Sequence, residues 1–171
     1  MAKALVLSDS HGLTKRLDDI VNRHEVDLLI HCGDSELAHD SPHVNDFVIV
    51  KGNCDWDDAF EEEKIVEFEG LRIFVTHGHL YGVKSSLLKL QYRAKEVGAD
   101  VVLFGHSHVA YCMQHDEQLF VNPGSIRRPR NWTTASYCIL SWDSRKQVHV
   151  TFYDVDGNVA NEFPFQTTFY L

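Results

Sequence analysis

Five short apolar segments of this 171-residue sequence end in the same kind of polar cluster. The clusters are "SDSHG", "CGDS", "KGNCD", "THGH" and "FGHSH", and they supply the metal-ligand residue types Asp9, His11, Asp34, Asn53, His77, His106 and His108. Apolar runs of this length predict strands, and the carboxyl ends of strands in an α/β sheet gather at one edge. Each cluster also holds a glycine, which lets the chain turn sharply and lets the backbone approach an ion closely. We therefore expect these side chains to converge.

The first two thirds of the chain predict alternating strands and helices, and the last third predicts mainly hairpins. Strands are predicted in "KALVLSD", "DLLIHCGD", "FVIVKGNCD" and "DVVLFGHSH", and "KIVEFEGLRIFVTHGH" predicts two strands joined by a turn at Glu69-Gly70. Helical periodicity predicts one helix capped by Thr14 and a second that begins near Val83 and stops at Gly98. Further turns are predicted near Asp116-Glu117, Ser144-Arg145 and Asp156-Gly157.

Length and charge limit the class of protein. The chain predicts one domain over residues 1–171, with 16 Lys and Arg against 25 Asp and Glu, a net charge of −9. This charge gives little support to a nuclease or another binder of long polyanions, but it allows a small anionic substrate. No secretory leader or membrane-length apolar run is recognised, so we expect a cytoplasmic protein without membrane contact. Four cysteines without a CxxC spacing are expected to be reduced thiols.

The kinds of ligand at the strand ends indicate the chemistry. Two aspartates, one asparagine and four histidines are too many for one ion, but they suit two divalent metals that share a carboxylate. Only two of these ligands are anionic, so two divalent ions leave the site positive and suited to a phosphate. Metals about 3.5–4 Å apart activate water and stabilise in-line displacement at phosphorus. The pattern predicts hydrolysis of a phosphoester.

The ordered set D-x-H, GD, GN, H and GHxH resembles the calcineurin-like metallophosphoesterase superfamily. The forms "SDSHG", "HCGD", "GNCD", "THGH", "GHSH" and "NPGS" resemble its small YfcE-like phosphodiesterases, over Leu5 to about Asn131. The resemblance implies a four-layer α/β/β/α sandwich of two packed mixed β-sheets flanked by helices. It also implies a di-metal centre, in which Asp9, His11 and His108 serve one metal, Asn53, His77 and His106 serve the other, and Asp34 bridges them.

The implied activity is hydrolysis of a small phosphodiester by a metal-bridging hydroxide, with Asn53 and His106 stabilising the developing charge. Manganese is the first expectation for the metal, with nickel, iron, cobalt and zinc as alternatives. Two positions depart from the superfamily pattern: Cys54 stands where a histidine is expected to protonate the leaving group, and Leu37 stands where a second acid is expected. The usual general acid therefore has no counterpart in this chain.

Four further residues are interpreted as substrate contacts: Cys54, His79, Arg127 and Arg128. Each has an alternative. Cys54 is expected to be mainly a small packing residue, His79 equally suits a supporting or solvent-facing position, and the arginines of "NPGSIRRPRN" equally suit a solvated loop or a contact in a homo-oligomer. Asn122 is expected to brace that loop. The rival function is a non-catalytic protein-interaction scaffold, since a retromer subunit uses the same fold with a degraded site. Intact histidines at the ligand positions favour the enzyme.

Overall fold

The computed structural model describes residues 1–144 and 146–171, so the predicted turn at Ser144-Arg145 falls partly outside the described residues. The strands and helices are β1 (Ala2–Leu7), α1 (Lys15–Arg23), β2 (Leu28–His31), β3 (Val48–Ile49), β4 (Glu63–Phe68), β5 (Leu71–Thr76), a 3-10 helix (His79–Tyr81), α2 (Leu88–Val97), β6 (Val101–Leu103), β7 (Tyr111–His115), β8 (Gln118–Asn122), β9 (Ser136–Trp142), β10 (Gln147–Asp154) and β11 (Thr168–Tyr170).

The described strands form two mixed sheets. The first has six strands in the order β11-β10-β9-β1-β2-β3, and the second has five in the order β4-β5-β6-β8-β7. In the first sheet β1, β2 and β3 run parallel, and β9 lies antiparallel to β1. In the second sheet β5, β6 and β8 run parallel, with β4 and β7 antiparallel at the edges.

Alternation along the central strands builds three apolar layers. In β1, Ala4 and Val6 face the core between the sheets, whereas Leu5 and Leu7 pack with Leu17 of α1. Strands buried on both faces read as continuous apolar runs, which is why "ALVL" shows no polar alternation.

The second sheet repeats this arrangement on its other side. Val101 and Leu103 of β6 enter the core between the sheets, and Val102 packs against Leu90 and Ala94 of α2. One helix thus covers each outer face, and the predicted four-layer α/β/β/α sandwich is confirmed.

Three local predictions need correction. The second helix begins at Leu88 rather than near Val83, because residues 82–87 form turns that start at the left-handed Gly82. Thr14 occupies the N-cap position of α1 but makes no side-chain capping bond. The third predicted strand is only the two residues of β3.

The turn at Glu69-Gly70 and the end of the second helix at Gly98 are confirmed, and Gly98 adopts the left-handed conformation.

Parallel pairing brings the ligand-bearing loops together. Leu7 at the end of β1 pairs with His31 at the end of β2, and Val75 pairs with Leu103 near the ends of β5 and β6. The loops that follow these four strands therefore leave from one edge of each sheet, across the seam between the sheets. No helix in the described part of the chain is long and apolar enough to cross a membrane.

Candidate metal centre

The carboxylate of Asp9 lies fully buried at the middle of this seam. Its Oδ2 accepts hydrogen bonds from the Ser8 hydroxyl, at 2.6 Å, and from the backbone N–H of His106, at 3.1 Å. Its Oδ1 has no hydrogen-bond partner among the described residues. Three imidazole nitrogens surround that oxygen, the Nε2 atoms of His108, His11 and His77, at 3.2, 3.7 and 3.8 Å. One oxygen of Asp9 is thus fixed and the other is free to bind a cation.

Two of these imidazoles are held by backbone carbonyls. The Nδ1 of His77 lies 2.7 Å from the carbonyl oxygen of Cys32, and the Nδ1 of His108 lies 2.8 Å from that of Arg128. A carbonyl oxygen can only accept, so in each ring Nδ1 carries a hydrogen, and in the neutral ring Nε2 carries the lone pair. Bonds of this kind fix the tautomer and the ring orientation that metal ligation requires.

The third imidazole is held by a carboxylate that the sequence reasoning missed. The Nδ1 of His11 lies 2.6 Å from Oε1 of Glu36, a contact that leaves the Nε2 of His11 directed toward His108, at 3.2 Å between the two Nε2 atoms. Glu36 stands one residue before Leu37, where the second acid of the superfamily pattern is absent. An acidic residue two positions after Asp34 was the available signal.

Asp34 and Asn53 complete the donor set on the other side of the seam. Asp34 Oδ1 accepts the backbone N–H of Cys54 at 2.8 Å, and its Oδ2 lies 3.1 Å from the Nε2 of His77. The amide oxygen of Asn53 lies 3.0 Å from the same Nε2. Asp9, Asp34 and His77 form one close group and Asp9, His11 and His108 form another, so Asp9 is common to both.

This arrangement fits divalent cations. Six atoms converge, and each offers a lone pair: Asp9 Oδ1, Asp34 Oδ2, Asn53 Oδ1 and the Nε2 atoms of His11, His77 and His108. Buried acceptors placed against one another without a donor are costly unless a proton or a cation lies between them. Hard oxygens mixed with imidazole nitrogens suit divalent transition metals.

The electrostatics of the centre point the same way. Burial opposes both charges, but the contact between Asp34 and His77 outweighs it: the pKa of Asp34 is held well below its usual value, and the pKa of His77 is raised. The pKa of Asp9 is also lowered, because nearby His108 and His77 outweigh the effect of its burial. The carboxylates therefore stay ionised and attract positive charge.

The loops carry backbone conformations that side chains other than glycine rarely adopt. Positive φ angles occur at Asp9, His11, Asp34, Glu36, His106 and His108. Strained conformations of this kind cost of order 1–3 kcal/mol each and cluster at functional sites. Close packing adds to the constraint, because a Cβ at Gly105 would lie 2.6 Å from Asp9 Oδ2 and one at Gly52 would lie 2.5 Å from the backbone nitrogen of Asp34.

Asp55, which sequence reasoning gave no role, holds two ligand loops together. Its buried carboxylate accepts three backbone N–H groups, from Asp34 at 2.9 Å, Glu36 at 2.8 Å and Gly52 at 2.6 Å. The "GNCD" motif ends in this residue, so its place in the motif was the signal.

His31 plays a similar part between the first two loops. Its Nδ1 accepts the N–H of Gly33 at 3.1 Å, which leaves Nε2–H to donate to the Ser10 hydroxyl at 2.8 Å. Burial lowers the pKa of His31 to about 4, so the ring is neutral and keeps this pair of bonds.

The predicted brace at Asn122 is confirmed. Its side-chain amide donates to the carbonyl of Gly105 at 3.1 Å and to the Ser107 hydroxyl at 3.0 Å, and its oxygen accepts the N–H of Gly124 at 2.9 Å. Ser125 then ties the same loop to the first ligand loop, because its hydroxyl donates to the carbonyl of Asp9 at 2.8 Å.

His106 and His79 lie at the border of the centre. The ring of His106 is centred 5.1 Å from that of His77, and neither of its ring nitrogens makes a hydrogen bond to the rest of the described chain. Burial, His77 and Lys84 lower its pKa to about 4. The ring of His79 is centred 5.4 Å from His77, and its buried Nδ1 lacks a partner in the described structure. The roles assigned to these two residues remain predictions.

The other predicted substrate contacts are placed differently from one another. Cys54 is exposed beside Asp34 and so is not the packing residue that was expected. Partial desolvation of its thiol, together with that carboxylate, raises the pKa of the thiol to about 11. The guanidinium of Arg127 donates to the carbonyl of His11 and so supports a ligand loop. Arg128 holds His108 through its backbone carbonyl, and its side chain is exposed.

Comparisons with known proteins agree with this geometry. Residues 2–145 match the model of the calcineurin-like phosphoesterase superfamily domain. The chain is 47% identical to the probable metallophosphoesterase YsnB of Bacillus subtilis, covering 96% of this chain and 98% of the relative. It is 28% identical to the phosphodiesterase YfcE of Escherichia coli, over 94% of this chain and 98% of that protein.

Solved structures show the same fold. A conserved protein of Streptococcus pneumoniae, described as a predicted phosphoesterase, superposes with a TM-score of 0.91 at 35% identity, covering 100% of this chain and 99% of the other. Vacuolar protein sorting 29 of Cryptosporidium parvum superposes with a TM-score of 0.79 at 17% identity, over 99% and 98% of the two chains, which is a likeness of fold alone. The chain belongs to the calcineurin-like phosphoesterase superfamily, in its YfcE-like branch, as the motifs predicted.

Proposed function

We propose that this metal-dependent phosphoesterase hydrolyses small phosphodiesters at a centre of two divalent cations. The observation that carries the proposal is the convergence of six lone-pair atoms, with Asp9 Oδ1 buried and unpaired among the described residues. Asp9, His11 and His108 would hold one cation, Asn53, His77 and His106 the other, and Asp34 would bridge them. Manganese is the first candidate, and the named relatives that are phosphodiesterases support the choice of a diester.

When bound, the two cations supply Lewis acidity and an activated water for attack on phosphorus. The chain's own part is positioning. His77 and His108 are locked by backbone carbonyls, and His11 is locked by Glu36, so their Nε2 atoms keep fixed directions. A low pKa keeps His106 neutral, and we assign to its imidazole and to the Asn53 amide the hydrogen bonds that stabilise charge on the phosphoryl oxygens.

Leaving-group departure receives little help from the protein. Cys54 occupies the position of the superfamily's proton donor, and a thiol whose pKa is raised to about 11 is too weak an acid to donate its proton efficiently near neutral pH. We therefore infer that the enzyme favours diesters whose alcohol leaves readily as an anion.

The test combines metal content with turnover. Protein freed of metal by a chelator should not hydrolyse bis(4-nitrophenyl) phosphate, and activity should return as manganese, nickel, iron, cobalt or zinc is added. His77→Asn should lose metal and activity together. The matched control is His149→Asn, because His149 bonds Thr168 and pairs across the sheet with Ser141, opposite the start of β1 and far from the ligand loops.

Turnover by protein verified to be metal-free would contradict the proposal. A scaffold would bind metal without turning over any diester, and only the fold likeness to vacuolar protein sorting 29 favours that rival. Cell fractionation tests the expected cytoplasmic location, and a sedimentation measurement tests whether copies of the chain, predicted to be one domain over residues 1–171, associate.

A further inference from the structure

A cleft opens beside the metal centre and is not used by the chemistry described so far. Its volume is about 520 Å³, within the range of pockets that take small molecules. The loop after β6 forms one wall, because Phe104, Ser107 and Val109 line the cleft while His106 and His108 alternate with them along the chain. This loop therefore connects the cleft to two of the residues proposed as metal ligands.

The cleft carries two cations that have no carboxylate partner. Lys84 and Arg130 line it, and neither forms an ion pair within the described part of the chain. The backbone N–H of Arg130 donates to the carbonyl of His108 at 2.9 Å, which fixes this part of the loop against the centre. Two positively charged side chains thus belong to the lining of the cleft.

The remaining walls combine apolar and aromatic side chains with three serines and Asn131. Val83 and Phe104 are buried, and the ring of Tyr111 is centred 6.3 Å from that of Phe104. Residues 82–87, the segment that replaces the predicted first turns of α2, supply Val83, Lys84 and Leu87 to the cleft. An apolar surface that ends in unpaired cations suits a ligand with a hydrophobic body and an anionic end.

Resting on the proposed function, we propose that this cleft binds one alcohol half of the diester, and that the preferred substrates carry a carboxylate or phosphate on an apolar body in that half. Lys84 and Arg130 would contact the anion, and the walls formed by Phe104 and Tyr111 would contact the body. The non-scissile side of the substrate would then set specificity, while the metal centre acts on any diester.

Three diesters with one leaving group test this specificity. Each is a 4-nitrophenyl aryl phosphate, and the second ring bears a para carboxylate, a para phosphate or a neutral para carboxamide. With the metal-loaded enzyme we expect kcat/KM to be about tenfold higher for an anionic ring than for the carboxamide, mainly through KM. The ratio between the carboxylate and phosphate esters tells which anion the cleft prefers. Equal values for all three esters would overturn the proposal.

Substitutions locate the effect. Lys84→Gln and Arg130→Gln should each lower the preference for the anionic esters, and the double variant should bring it close to one. Both side chains are exposed, so the fold should survive. Lys89→Gln is the control, because Lys89 is also exposed and unpaired in the described structure but lies outside the cleft. A double variant that kept the full preference would refute the assignment.

A binding measurement separates failure of this proposal from failure of the proposed function. The inert analogue methyl (4-carboxybenzyl)phosphonate is titrated into zinc-loaded, nitrogen-15-labelled protein. We expect amide shifts at Ser85, Ser107 and Asn131 that are weaker with the carboxamide analogue. If these shifts occur while no diester is hydrolysed, the cleft assignment stands and the catalytic proposal fails. If diesters are hydrolysed without shifts or preference, the cleft assignment fails and the catalytic proposal stands.

Discussion

The carboxylate of Glu36 holds the imidazole of His11 through a contact of 2.6 Å between Oε1 and Nδ1. This contact directs the other ring nitrogen toward His108 and Asp9, and it makes the imidazole a stronger electron donor. Glu36 itself adopts a positive φ of 55°, a conformation that the loop must stabilise.

Glu36→Gln should weaken the cation held by His11 by about 10- to 100-fold, because an amide orients the ring without the carboxylate's charge. The measurement is metal affinity by competition with a chromogenic chelator, accompanied by a thermal melt. The control is Glu117→Gln, an exposed residue in the β7–β8 turn at the opposite end of the sheet. Unchanged affinity in Glu36→Gln would show that the contact only packs the loop.

Asp34 is expected to be the shared ligand, so Asp34→Asn should deplete both cations, whereas Asp9→Asn should chiefly deplete the one held by His11 and His108. Each carboxylate has one oxygen that accepts from backbone N–H groups or a hydroxyl and one oxygen that faces imidazole nitrogens. Elemental analysis after dialysis counts the metals in each variant. The reverse result, in which Asp9→Asn loses both metals, would identify Asp9 as the bridging ligand. Asp9 lies close to both groups of histidines in the structure.

Stabilisation by metal should increase with pH. In the metal-free protein, burial lowers the pKa of His77, but the Asp34 contact and the charge of Asp9 raise it by more. A raised pKa means that the proton stabilises the metal-free protein at low pH, and this stabilisation is lost as the pH rises through the raised value. Metal needs the unprotonated Nε2, so proton and metal compete. The Tm difference between metal-loaded and chelated protein should grow from pH 5.5 to 7.5, and a constant difference would contradict this account.

Cys54→Ala should change hydrolysis of bis(4-nitrophenyl) phosphate by less than about twofold. The pKa of the thiol is raised to about 11 by burial and by Asp34, so the thiol is not ionised, and nitrophenolate needs no proton to leave. Alanine also preserves the backbone N–H that Asp34 accepts. Rates are compared at equal metal content. A large loss with both metals retained would make the thiol catalytic.

Cys54→His offers the complementary measurement on esters of alkyl alcohols. General-acid assistance is worth about 10²–10⁴-fold, so an imidazole that reaches the leaving oxygen should raise turnover of these poorer substrates. A gain confined to alkyl esters would confirm that the wild-type centre lacks a proton donor.

Much of the fold, and the convergence of most residues proposed as ligands, could be predicted because strand ends are visible in the sequence. The strands that end at Leu7, His31 and Leu103 are largely apolar on both faces. The polar residues that follow them lie at the edge of the sheet where the carboxyl ends of parallel strands meet.

The supporting residues could not be predicted in the same way. Glu36 lies in a loop with left-handed backbone, and Asp55 accepts hydrogen bonds from backbone N–H groups. Neither feature produces a periodic pattern in the sequence. Val83 and Leu87 misled the helix prediction because loop residues that cover an apolar wall can repeat at helical spacing without being helical.

The centre lies across the seam between the two sheets, with Asp9 and Asp34 following strands of one sheet and His77 and His108 following strands of the other. Direct contacts already cross this seam, as between His77 and the Cys32 carbonyl. A bound metal pair would link the two sheets through its ligands, so the sheets could separate only after metal–ligand bonds break. Bound metal would then lower the rate of unfolding as well as support hydrolysis. The resistance of the protein to proteolysis would depend on the supply of metal in the cell.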